Sequence, residues 1–214
     1  MISKRCGFGA TALTVLSLAA TPAFAQLCTG VPLNVHQSSL SLRADMPDGG
    51  NIFTVRGANK LAEVATLGAS YSLMSPDGGD STHSIGVDGA FELPLNLPVG
   101  VCAVAGIQTN LNKGDGPRTI QVPIGASLSY DVDLGNGLAV VPFVVPQLLW
   151  ARQGSFDYTV GNEVVTADSA SDSTFLLAGG ANLIVNNLAF GLRLERIMET
   201  GAKTQFGVLA GINF

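Results

Sequence analysis

Beyond residue 37 the chain alternates. Along 118–131, Ile120, Val122, Ile124, Ala126, Leu128 and Tyr130 take every second position, with Gln121, Gly125, Ser127, Ser129 and Asp131 between them. A period of two marks a strand with one apolar and one small or polar face, since successive side chains of an extended chain point to opposite sides. The same pattern runs through 38–45, where Leu40, Leu42 and Ala44 alternate with Ser39, Ser41 and Arg43. It recurs over 61–74, 81–93 and 99–111, and more weakly over 51–59. Three further strands are expected over 174–186, 188–199 and 202–214. In the last, Phe206, Val208, Ala210, Ile212 and Phe214 alternate with Gly207, Gly211 and Asn213, and only Leu209 departs. The segment 138–152 is apolar on both faces and contains Pro142 and Pro146. Each proline removes a ladder donor, so a bulge or irregular pairing is expected there.

The links carry turn chemistry. Residues 46–50, 75–80 and 112–117 are rich in Pro, Asp and Gly, and Asn186-Asn187 reads as a tight hairpin. Residues 153–173 read as a long polar loop. The pattern therefore predicts an all-β chain, an antiparallel barrel of about ten strands (eight as the alternative) in meander order.

Composition changes the solvent assigned to the apolar face. Apolar residues make up 47% of the chain and charged residues 13%, about half the usual globular share. No run after residue 25 approaches the roughly 20 apolar residues of a transmembrane helix. High hydropathy without a hydrophobic helix is what a lipid-exposed, transmembrane β-barrel produces, because its apolar residues occupy alternate positions. Residues 1–25 read as a secretory signal peptide: Lys4 and Arg5, an apolar stretch over 10–20, then Ala23-Phe24-Ala25 as the cleavage site. Gln26-Leu27 before Cys28 lacks the small residues of a lipoprotein site. The mature chain is expected to begin at Gln26, with 26–37 a periplasmic lead-in and 38–214 the barrel. Its nine basic and sixteen acidic side chains argue against nucleic acid as a partner. Cys28 and Cys102 remain, an even number in an exported chain, which favours a disulfide. That bridge closes a loop of roughly 75 residues and contributes about 4 kcal/mol on a chain-entropy account.

Counting links from the C-terminus sorts them by side. With Phe214 periplasmic, the links at Thr200, 153–173, 112–117, 76–80 and 47–50 face outward. Those at Asn186, 134–137, 94–98 and Lys60 face the periplasm with both termini, so the long links fall outside and the short ones inside, as such barrels require. Cys28 and Cys102 come out on the same side, which permits the disulfide.

The cleavage site, Cys28-Thr29-Gly30, Val99-Gly100-Val101-Cys102, the run from Val141 to Trp150 and the terminal Phe214 together give a chain that resembles bacterial outer-membrane β-barrel proteins, the small porin-like and opacity-like surface barrels. The final strand, 206–214, resembles the C-terminal signature that barrel-assembly machinery recognises. The resemblance implies a fold and a place, the outer membrane of a diderm (Gram-negative) bacterium, with lipid and lipopolysaccharide as surroundings and a monomeric state. It does not imply one activity.

Candidate chemistry is sparse. Reading the polar faces as lumen gathers Arg43, Asp88, Glu92, Gln121, Arg193 and Glu195 inside, where opposite charges are expected to pair. Arg196 falls on the lipid side near the outer end, within reach of a lipopolysaccharide phosphate. Tyr71, Tyr130, Trp150 and Phe214 are expected to form an aromatic girdle. His36 lies in the lead-in, and His83 stands near Asp77 and Asp80, the only arrangement resembling a rim hydrolase. The loop acids match no calcium-loop spacing and no glycine-rich phosphate motif occurs, so neither metal nor cofactor is expected. The leading expectation is a structural or porin-like barrel, not an enzyme, with a narrow or plugged lumen. A surface adhesin acting through 153–173 is the alternative, and an outer-rim hydrolase the second alternative.

Overall fold

The structure, a computed structural model, describes residues 37–95, 99–111, 118–160, 163–199 and 201–214. The signal peptide expected over 1–25, the lead-in expected over 26–37 but for Gln37, and with it Cys28 and His36, lie outside these residues. The strands are β1 (Ser38–Met46), β2 (Gly50–Ala62), β3 (Ala65–Pro76), β4 (Thr82–Glu92), β5 (Gly100–Asn110), β6 (Thr119–Ser129), β7 (Val132–Gly135), β8 (Leu138–Gln153), β9 (Phe156–Val160), β10 (Glu163–Ala167), β11 (Ala170–Val185), β12 (Leu188–Ile197) and β13 (Thr204–Asn213). Ten of them close a barrel. Around it the order is β1, β2, β3, β4, β5, β6, β8, β11, β12, β13 and back to β1, every pairing antiparallel. The short β7 continues the line of β6 along β8. Closure is finished by the chain end: Ser38 N donates to Phe214 O at 2.8 Å, and Phe214 N to Ser38 O at 2.9 Å.

Alternation sets the two faces. On β12 every second residue from Ala189 to Ile197 is buried, and Leu188, Phe190, Leu192, Leu194 and Arg196 between them are exposed. An extended chain has no other way to place its two sets of side chains than inside and outside the cylinder. The outside is apolar on all ten strands, with Leu42, Phe53, Leu67, Val87, Ile107, Ile124, Leu148, Phe175, Leu192 and Ile212 among its exposed residues.

Several boundaries differ from the sequence expectation. The link expected at Lys60 falls at residues 63–64, because β2 runs on to Ala62 through an irregularity between Lys60 and Ala62. Alternation fades there into Lys60-Leu61-Ala62-Glu63, and pairing with β3 carries the strand further than its own pattern indicates. Of the bulge or irregular pairing expected at Pro142 and Pro146, the structure has the second: the β6–β8 ladder is interrupted between Gly125↔Gln147 and Leu128↔Val144, opposite Pro146 and Val145, with no bulge. Β8 pairs with β11 in one unbroken frame from Leu138↔Val185 to Gln153↔Ala170, and its frame with β6 does not shift. Each proline removes one donor without inserting a residue, so the register holds. The long loop over 153–173 is largely ordered as strand: β8 and β11 extend into it from both sides, and β9 and β10 pair with each other as a separate hairpin.

Two turns use left-handed asparagines, Asn136 at φ 56° and Asn186 at φ 53°. A short polar side chain tolerates that conformation better than other non-glycine residues, which is why Asn186-Asn187 makes the hairpin its sequence indicates. These turns share one barrel end with Ser38 and Phe214, and Asn186 N donates to Gly137 O at 2.7 Å.

Candidate functional site: the barrel interior

The interior divides into two sectors. Strands β12, β13, β1, β2, β3 and β4 lie side by side and turn polar groups inward: Glu195, Gln205, Arg43, Arg56, Ser72 and Asp88 are all buried. The remaining strands β5, β6, β8 and β11 turn in no buried charge: apolar Val104, Phe143, Val145, Leu176 and Ala178 stand beside polar Gln108, Gln121, Ser127, Gln147, Thr174 and Asn182.

Charges in the polar sector are matched. Arg56 forks onto Asp88, Nη2 donating to Oδ2 at 2.6 Å and Nε to Oδ1 at 3.1 Å. The two residues sit on β2 and β4, with β3 between them. Gly68 on β3 makes this reach possible: a Cβ there would overlap the guanidinium, and would lie 2.8 Å from Asp88 Oδ2. Arg43 Nε stands 2.7 Å from Asp45 on the same inward face of β1. Arg193 contacts Glu195 in the same way on β12. Gly207 on β13 is paired with both Asp45 and Arg193, and a Cβ on it would overlap the Asp45 carboxylate. Thus an inward glycine stands between charged neighbours twice. Neutral bonds continue the pattern, Thr54 with Ser72 at 2.9 Å and Gln108 Nε2 donating to Ser84 at 3.0 Å.

One cross-strand row runs Ala90, Val104, Gly125, Gln147, Leu176, Ile197 over β4, β5, β6, β8, β11 and β12, across the uncharged strands and one strand to either side. Gln147 is buried to 1% exposure, and neither end of its carboxamide has a partner among the described residues. Gly125 beside it admits no side chain: a Cβ there would overlap the carbonyl oxygen of Pro146 and lie 2.7 Å from Gln147 Cγ.

Of the residues expected in the lumen, Arg43, Asp88, Gln121, Arg193 and Glu195 are buried inside. Glu92 is not: its side chain is 51% exposed at the mouth, 3.7 Å from Lys60. It lies on the inward parity of β4 but at the strand's last residue, where the wall ends. Arg56 and Asp45 were not anticipated. Both continue visible alternations, Arg56 with Thr54 against Phe53 and Val55, and Asp45 two residues after Arg43. The apolar inward face of β8 was also illegible, because its outward face is apolar too.

On the outer wall Tyr71, Tyr130, Trp150 and Phe214 are exposed, as are Phe53, Phe91, Phe175, Phe190 and Phe206, which share their parity. Arg196 is exposed on the same wall. His83 is also outside, its Nδ1 2.5 Å from Tyr71 Oη. It is the second residue of β4, close to the barrel end, and among the described residues no three His, Cys, Asp or Glu side chains gather to hold a metal. Cys102 is buried on the inner face of β5, two residues past its start.

No protein-family model matches the chain, and comparison with curated proteins finds no relative. Among solved structures it is similar to the translocator domain of the autotransporter NalP from Neisseria meningitidis, at 11% identity, covering 96% of this chain and 95% of that one with a TM-score of 0.53. It also resembles the N-terminal β-barrel domain of Pseudomonas aeruginosa OprF (11% identity, 84% and 98% covered, TM-score 0.40). A third is the Acinetobacter baumannii outer membrane protein Omp33 (12%, 84% and 98%, TM-score 0.42). What the first of these shares with the chain is its fold: a closed, single-chain antiparallel barrel.

Proposed function

We propose that the chain is an integral β-barrel of a bacterial outer membrane, structural or porin-like, with a narrow or plugged interior. The observation that carries this is the outer wall. Exposed Leu, Ile, Val and Phe occupy it on every barrel strand, whereas a water-soluble protein rarely exposes a contiguous apolar patch beyond a few hundred Å². Hydrocarbon is the solvent that removes the cost, and closure leaves no strand edge unpaired in it. Strands of 9 to 16 residues are long enough, since about 9–11 tilted residues span a bilayer. The matched interior charges support a filled polar sector over a wide aqueous channel. Ser38, Phe214 and the short turns at 63–64, 136–137 and 186–187 share one mouth, which supports a periplasmic placement for it, with the β9–β10 hairpin facing the medium. The test is heat modifiability: folded protein in detergent migrates ahead of boiled protein on a gel, and equal mobilities would refute the barrel-in-membrane reading.

The adhesin reading is favoured by one feature, the β9–β10 hairpin, which stands apart from the barrel sheet. Removing 155–168 abolishes surface binding under that reading and leaves it unchanged otherwise.

A further inference from the structure

We propose that Arg118 and Arg152, with Trp150 beneath them, form a headgroup site on the outer wall for a phosphate monoester of the outer leaflet's glycolipid, the lipid A part of lipopolysaccharide. The inference rests on the membrane-barrel reading and deepens it by naming the lipid and the residues that meet it.

The two arginines stand on neighbouring strands at the barrel end opposite Ser38 and Phe214. Ile120 on β6 is paired with Arg152 on β8, and the ladder runs on past them, where Gly154 N donates to Arg118 O at 2.8 Å. Arg118 and Arg152 are therefore diagonal neighbours, their Cβ atoms about 7–8 Å apart, within reach of one phosphate for two guanidinium forks. Both are exposed. They take the outward parity, since the inward positions Thr119, Gln121 and Leu149 beside them are buried. Among the described residues neither guanidinium has an ion-pair partner. Ser171 on β11, exposed and paired with Arg152, brings a hydroxyl to the other flank.

Depth and sign agree with this. Along the outward face of β8, Leu138, Val140, Pro142, Val144, Pro146, Leu148 and Trp150 follow one another without a charge. At a rise of about 3.3 Å per residue and a tilt of about 40°, Leu138 to Trp150 spans about 30 Å of barrel axis, the thickness of the hydrocarbon core. Trp150 then lies at the interface, where its ring belongs, and Arg152 stands about 5 Å beyond it, at the headgroups. The chain has 16 acidic and 11 basic side chains. Yet on the described barrel strands every carboxylate, Asp45, Asp88, Glu92, Asp172 and Glu195, takes the inward parity. The outward charges are Arg118, Arg152 and Arg196, and Arg196 is set apart, in the cross-strand row of Pro146 and Leu177. Two cations without counter-charges match a phosphate monoester, which carries a charge of about −1.5 to −2 and three acceptor oxygens, better than the singly charged diester of a phospholipid.

Trp150 is the chain's one tryptophan, so its fluorescence reports this site alone. The test is a titration of folded, heat-modifiable protein in dodecylmaltoside micelles with diphosphoryl lipid A, and separately with phosphatidylglycerol and with lipid A stripped of both phosphates. Diphosphoryl lipid A is expected to change the Trp150 emission saturably, and the other two lipids to act only weakly. Arg118→Gln combined with Arg152→Gln is expected to raise the midpoint about tenfold or more. Arg196→Gln is expected to leave it within about twofold, because that charge lies beyond the screening length. Equal midpoints for the unaltered chain and the double variant, both heat-modifiable, overturn the site and leave the barrel standing. A response to phosphatidylglycerol or to the stripped lipid as strong as that to diphosphoryl lipid A also overturns it, and that comparison needs no variant. Absence of heat modifiability in the unaltered chain overturns the membrane reading and the site together.

Discussion

At the residue scale the interior is a set of charges that survive only in company. Arg56 and Asp88 are both nearly inaccessible and share two hydrogen bonds. Asp88→Ala leaves a buried guanidinium without its counter-charge, and we expect a loss of about 3–5 kcal/mol in urea unfolding of the vesicle-embedded barrel. Replacing both partners with apolar residues, Arg56→Met with Asp88→Leu, should recover most of that loss, because the desolvation cost disappears with the pair. Lys203 and Asp48 are 2.7 Å apart but mostly exposed, and Lys203→Ala is expected to cost under about 1 kcal/mol. Glycines sort in the same manner. At Gly57 a Cβ would meet only the Ser39 carbonyl oxygen, at 4.0 Å, an ordinary contact, so Gly57→Ala should be neutral or stabilise by up to about 0.5–1 kcal/mol through backbone entropy. Gly125→Ala drives a methyl group into backbone and should sharply lower the yield of folded barrel. Equal unfolding midpoints for these two alanine variants would contradict the packing described.

At the scale of elements, two segments separate what builds the barrel from what decorates it. The β9–β10 hairpin pairs only with itself, so a chain in which residues 155–168 are replaced by a short turn should keep its gel-shift on heating and its unfolding midpoint. By contrast, β13 pairs with both β12 and β1 and closes the sheet. Phe214 adds a side chain that is 69% exposed at its end. Phe214→Ala is expected to leave refolding into detergent micelles unchanged while lowering the amount assembled in cells; an equal loss in both settings would assign Phe214 a folding role instead. Here the limits of the sequence become physical. Alternation made β6, β12 and β13 legible because their two faces differ in polarity. It could not orient β8, where Val141, Phe143 and Val145 face in and Val144 and Leu148 face out. Nor could it place the end of β2, whose last residues are held by pairing with β3. The lumen set was legible wherever a charge sat inside a clear alternation, as Arg43 and Arg193 do. Glu92 was misplaced because parity states a direction and not a depth. The glycine spacers were invisible as such, since Gly68 and Gly207 read as generic small residues until their neighbours are known.

At the scale of the whole molecule, the account rests on which solvent meets which face. The charged sector, the uncharged sector and the outer belt are one pattern of alternate residues wrapped on ten strands, and a barrel in water would have to bury the belt that this one exposes. Collision accessibility of spin labels in lipid vesicles tests this most directly. In a background with Cys28 and Cys102 replaced by serine, single labels at Leu42, Ile124 and Leu192 are expected to relax with dissolved oxygen and to be shielded from a water-soluble nickel complex. A label at Lys203 on the rim is expected to behave in the opposite way. Equal access of the nickel complex to all four positions would contradict the claim that the outer wall lies in hydrocarbon.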